Sequence, residues 1–122
     1  AYAWRTLLDR GTRLAFGSDA PVASPNPFAG LFAAVTRRRP DGSPGPEGWY
    51  PDERISLRQA LEAYTHGPAC AAGMEDRLGM LAPGYLADLI VLDHDPFGIS
   101  PDELRQLKSA ATMVGGEWVY RQ

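Results

Sequence analysis

An aspartate closes the run Leu14-Ala15-Phe16-Gly17-Ser18-Asp19, and the chain then passes into loop through Ala20 and Pro21. An apolar stretch that suits a buried strand thus ends on Gly-Ser and a carboxylate. In α/β sheets and barrels, functional groups collect at the carboxyl ends of parallel strands. A carboxylate there can ligate a divalent metal or take a proton from metal-bound water. Gly17 permits close backbone approach, and Ser18 can hydrogen-bond nearby. The competing assignment is an Asx-turn or helix N-cap that stabilises the loop, and spacing alone favours it.

Few other groups could do chemistry. His66, in Tyr-Thr-His-Gly-Pro, reads as the end of a helix, where an imidazolium complements the dipole; a substrate contact is the alternative. His94 lies between Asp93 and Asp95 and reads as surface loop, with metal capture as the alternative. Cys70 sits among alanines and reads as a small buried apolar side chain with no base beside it. No His-x-His, His-Glu-x-x-His or Cys-x-x-Cys spacing occurs, so no self-contained zinc site is encoded. There is no Gly-x-Ser-x-Gly elbow and no phosphate-binding glycine loop. No second acid follows Asp19 at short spacing, which disfavours an aspartate-nucleophile hydrolase.

The elements that must hold Asp19 are legible on either side of it. Residues 2–9 suit a helix stopped by Gly11, and residues 13–17 suit a short buried strand. Asn26 can cap a second helix with Pro27 at its first position, running to Arg37-Arg38-Arg39 before Pro40. Residues 40–51 are rich in Gly and Pro and read as a connector or as an active-site loop with Trp49 and Tyr50 as contacts. Ser56 and Gln59 form a capping box for a helix over residues 56–66, with Leu57, Ala60, Leu61 and Tyr64 on one face. A short helix begins at Pro68. Leu86–Leu92 reads as a strand apolar on both faces, residues 102–107 as a short helix, and Gly115-Gly116 as the turn of a hairpin.

Composition excludes several classes. Twelve basic against fifteen acidic residues give a net charge of −3, which argues against nucleic acid or an anionic membrane as partner. A single cysteine excludes an internal disulfide and agrees with a reduced, cytoplasmic setting. No apolar segment reaches the roughly 18 residues of a membrane span. The opening Ala1-Tyr2-Ala3-Trp4 carries neither a methionine nor a signal peptide and reads as the middle of a longer protein.

Four stretches carry a resemblance: YAWRTLLDRGTRLAFGSDAPV, ISLRQALEAYTHGPACAAG, RLGMLAPGYLADLIVLD and the terminal VGGEWVY. Together they resemble the C-terminal portion of the amidohydrolase superfamily, its amidohydrolase-3 branch in particular, which includes N-substituted formamide deformylases. The most specific parts are Gly17-Ser18-Asp19 and the run from Leu78 to Asp93, in that order. The resemblance implies an α/β fold, the last units of a (β/α)8 barrel over residues 1–77, and the C-terminal strands of a composite β-sandwich over residues 78–122. It implies that Asp19 is the aspartate after the eighth strand, a ligand of a catalytic divalent metal, usually zinc, and the shuttle for the proton of the attacking water. The superfamily's His-x-His, carboxylated lysine or mid-barrel acid, and histidines of strands five and six have no counterpart in this sequence. The expectation is therefore the tail of a hydrolase of a non-peptide C–N bond acting on a small molecule, with the chain alone inactive and metal-free. A non-catalytic module that self-associates or docks is the second reading. A homo-oligomer is expected in either case, through strand edges and through Phe28, Phe32, Leu57 and Leu61 left without cover.

Overall fold

The computed structural model describes residues 2–122, with helices in the first part and a three-stranded sheet in the second. Helix α1 (Trp4–Asp9) is short. Helix α2 (Pro27–Thr36) starts where its signals place it: the Asn26 side chain accepts the Phe28 N–H at 2.9 Å, and Pro27 needs no partner at the first position. It stops three residues before the expected end. Arg37 takes a left-handed conformation (φ 57°) and donates its N–H to Ala33 C=O at 2.8 Å, which closes the last turn.

Helix α3 (Leu57–Tyr64) has the capping box in full: Gln59 N–H donates to Ser56 Oγ at 3.2 Å, and Ser56 N–H donates to Gln59 Oε1 at 3.0 Å. The chain breaks at Thr65 (φ −120°, ψ −77°) and restarts as α4 (His66–Ala71). Pro68 explains the break, because it has no N–H for the Tyr64 carbonyl four residues back and its ring crowds that carbonyl. His66 therefore opens a helix rather than ending one, and the dipole account of its position does not apply.

The sheet is antiparallel, in the order β1 (Leu89–Leu92), β2 (Ser109–Val114), β3 (Glu117–Arg121). Ile90 faces Thr112, which in turn faces Tyr120. Gly115 and Gly116 both have positive φ, 58° and 85°, as a tight turn matched to strand twist requires. Strand β1 is shorter than its apolar run. Leu86 N–H bonds to Arg77 C=O, Asp88 N–H to Leu86 C=O, and the Asp88 carboxylate accepts the Gly115 N–H, so these residues brace the turns instead of the ladder. The helix expected after residue 101 is a 3₁₀ helix, Pro101–Gln106.

Residues 13–17 do not form the expected strand. A strand needs a ladder, and the described residues offer none beside this segment; its N–H bond to the helices is Phe16 to Ala63 C=O, at 2.7 Å. The core lies between α2, α3 and the 3₁₀ helix, with Phe28, Leu31, Phe32, Ala34, Ile55, Ala60, Leu104 and Leu107 buried. Phe28 and Phe32 are 8% and 3% exposed, and Leu57 and Leu61 pack half-buried against the same core, which corrects the expectation that these four lie bare. Leu104 and Leu107 supply the cover, and Leu92 and Ile99 pack at its margin. The sheet is less protected: Ile90, Val91, Val114, Trp118, Val119 and Tyr120 are all exposed.

Candidate functional site

Aromatic packing fixes the segment that leads to Asp19. The Phe16 ring meets Trp4 of α1 at 5.2 Å and Tyr64 of α3 at 5.5 Å between centroids. Gly67 lets the segment lie directly on the start of α4, since a Cβ there would stand 2.0 Å from the Leu14 carbonyl oxygen. Gly67→Ala must push the backbone that carries Gly17-Ser18-Asp19 away from α4. The expected cost is about 1–3 kcal/mol, as for other overpacked sites, read as a lowered unfolding midpoint in urea. An unchanged midpoint would mean that this contact is loose.

Asp19 is exposed and has φ 56°, in the left-handed region that non-glycine residues rarely adopt. Its backbone carbonyl closes the following turn, accepting Val22 N–H at 2.9 Å and Ala23 N–H at 3.2 Å. The N-cap of the next helix is Asn26, not Asp19. Loop stabilisation is thus carried by backbone and by another residue. The side chain is left as a solvent-facing acid at the end of a well-anchored segment. One carboxylate is a single ligand, whereas zinc takes three or four protein ligands. Among the described residues, no group of three His, Cys, Asp or Glu could hold a metal ion. Asp19 fits a metal as one contributor and does not make a site by itself.

The structure brings together two residues that the sequence reading kept apart. His66 Nε2 lies 3.5 Å from Cys70 Sγ, and Arg13 Nη1 donates to the same sulfur at 2.9 Å. A base does adjoin Cys70. The signal was present, because residues four apart on a helix share a face; Arg13 arrives through the tertiary fold. His66 and Arg13 line a cleft of about 510 Å³ with Leu8, Gln59 and Glu62. Asp19 is not part of that cleft. His94 is exposed, with Nδ1 3.4 Å from Asp93 Oδ2. The Asp93 carboxyl is held below the usual range chiefly by the Lys108 N–H and secondarily by His94.

The model of the amidohydrolase family matches residues 1–120. The chain belongs to the amidohydrolase family. It is 37% identical over 122 residues to the putative amidohydrolase YtcJ of Bacillus subtilis (strain 168), covering 100% of this chain and 23% of that protein. It is 36% identical over 118 residues to the N-substituted formamide deformylase of Arthrobacter pascens, covering 97% of this chain and 21% of that protein. The chain therefore spans less than a quarter of the length of either curated relative. In fold it is similar to an amidohydrolase from Thermotoga maritima MSB8, with a TM-score of 0.70 at 22% identity over 100% of this chain and 27% of that one.

In this amidohydrolase chain, a side chain that sequence reasoning missed is Arg37. It is 7% exposed, and its guanidinium lies between the rings of Trp4 at 4.7 Å and Trp49 at 5.0 Å. Its Nε donates to Trp49 C=O at 2.9 Å and its Nη1 to Tyr2 C=O at 2.8 Å. Trp49 and Tyr50, in the loop read as a connector or as an active-site loop, pack edge to face at 4.8 Å, with Trp49 against Arg37. Arg37 is expected within the second helix, and the structure places it just past the helix end. There it joins α1, α2 and the Gly/Pro-rich loop.

Proposed function

We propose that this chain is the C-terminal part of a metal-dependent amidohydrolase that cleaves a non-peptide C–N bond, amide or formamide-like, in a small molecule. The observation that carries the reading is Asp19, an exposed carboxylate in a left-handed backbone conformation, at the end of a segment held by Phe16 and Gly67. Family membership and the likeness to a formamide deformylase support it. A divalent metal, zinc in the simplest case, would supply a water acidic enough to attack a carbonyl at neutral pH. Asp19 would be the residue of this chain that holds that metal and accepts a proton on its carboxylate. The segment of residues 13–17 would then pair with barrel strands outside this chain. Residues 78–122 would be the closing strands of a β-sandwich. The 122 residues alone would be inactive.

Self-association is the second reading, favoured by the sheet. Val119 is 62% exposed, and Ile90, Val91, Trp118 and Tyr120 accompany it. An exposed apolar surface of that kind is usually resolved by association. A cytoplasmic setting accords with the lone cysteine.

The test uses the full-length protein with an N-alkylformamide and a simple aliphatic amide, reading formate and amine release. Activity on either should vanish on chelation and return with zinc. Hydrolysis that survives complete metal removal would overturn the metal assignment, and no release from either substrate class would overturn the C–N reading.

A further inference from the structure

The wall around Arg37 borders an open cavity of about 640 Å³, within the size range of small-molecule sites. Tyr2, Trp4, Ala33, Pro44 and Trp49 give it apolar sides, and Arg37, Arg38 and Arg39 give it charge. No acid lines it. Arg38 is already paired, its Nη2 2.7 Å from Asp102 Oδ1. Arg37 has no ion pair within contact distance, and its Nη2 is buried without any hydrogen-bond partner among the described residues. The acid that acts on Arg37 at longer range is Glu53, whose carboxylate is held by the hydroxyl and N–H of Thr6. Burial lowers the guanidinium's hold on its proton, and Glu53 partly offsets this. A cation more than nine-tenths buried and left without a counter-charge is costly, and an anion at its side offsets that cost.

We infer that this cavity is a binding site for a small aromatic carboxylate. The planar anion meets the exposed Arg39 with the charge of Arg37 behind it, and the ring lies against Pro44 and the surfaces of Trp4 and Trp49 that Arg37 leaves free. A monoanion with an apolar body suits walls that are mostly apolar. Inorganic phosphate has more charge to desolvate and no surface to bury against them. The site owes nothing to Asp19, which is not among its lining residues. Its test reads binding rather than turnover.

The probe is benzoate, added to the full-length protein and followed by the indole N–H resonances of Trp4, Trp49 and Trp118. Trp4 and Trp49 line the cavity, and Trp118 lies on β3 as the internal control. Saturable shifts of the first two are expected, with a Kd on the order of 1 mM for so small a ligand. Benzyl alcohol and phosphate should give little, and added salt should weaken binding. Arg37→Ala removes a buried side chain that ties three segments together and risks unfolding, so the deciding variant is Arg39→Gln, on an exposed side chain. It should weaken benzoate about ten-fold, as loss of a charge-assisted contact does. Equal shifts with benzyl alcohol, shifts spread to Trp118, no saturation, or an unchanged affinity in Arg39→Gln would each overturn the assignment.

Discussion

Asp19→Asn in the full-length protein is expected to lower kcat roughly 100-fold or more, the usual weight of a general base, with the fold unchanged. Asn keeps the shape of Asp and one carbonyl oxygen but cannot accept a proton. It also tolerates the left-handed conformation seen at φ 56°, so the turn bonds from Val22 and Ala23 should survive. Within this chain the side chain is exposed, so the substitution removes no packing among the described residues. Steady-state kinetics beside circular dichroism is the measurement. A variant that folds normally and keeps more than about a tenth of wild-type kcat would remove Asp19 from proton transfer.

Phe32→Ala carries the largest expected loss of stability, about 3–5 kcal/mol, typical of a deleted core aromatic ring. Phe32 belongs to the cluster with Leu31, Leu104 and Leu107. Its ring also lies under the guanidinium groups of Arg38 at 5.6 Å and Arg105 at 5.3 Å. Removing it opens a cavity and leaves both cations without the ring face. Domains of this size have only about 5–15 kcal/mol in total, so the variant should lose a large share of its stability. Urea titration of wild type and variant measures the difference, and a loss below about 1 kcal/mol would mean that the core repacks around the hole.

Local signals were readable and long-range ones were not. Asn26-Pro27, the Ser56–Gln59 box and Gly115-Gly116 each act within four residues, and each appears where the residue types place it. Arg13–Gly17 has the composition of a strand, yet a strand is a relation between segments, and no segment among the described residues pairs with it. The Phe32 cover comes from Leu104 and Leu107, some seventy positions away, so its burial could not be read from helix periodicity. The break at Thr65 was readable in principle from Pro68, through the missing N–H. At the candidate site, Asp19 stood out by its place after an apolar run, but its assignment as metal ligand and base came from family resemblance. Its left-handed backbone, and the Arg37 sandwich between Trp4 and Trp49, needed coordinates.

Strand β3 is exposed along all five residues, while Leu92, at the end of β1, packs against the core. The ladder is therefore anchored at one edge. Lifting β3 from β2 breaks a few hydrogen bonds and uncovers little new apolar surface. Lifting β1 disturbs the packing around Leu104 and Leu107. Amide protons of β3 should then trade with deuterated solvent through a local opening of low free energy, whereas those of α2 wait for the whole core to come apart. The sheet sheds protection from the β3 edge first, and β1, held to the core by Leu92, gives up its amide protons last of the three strands.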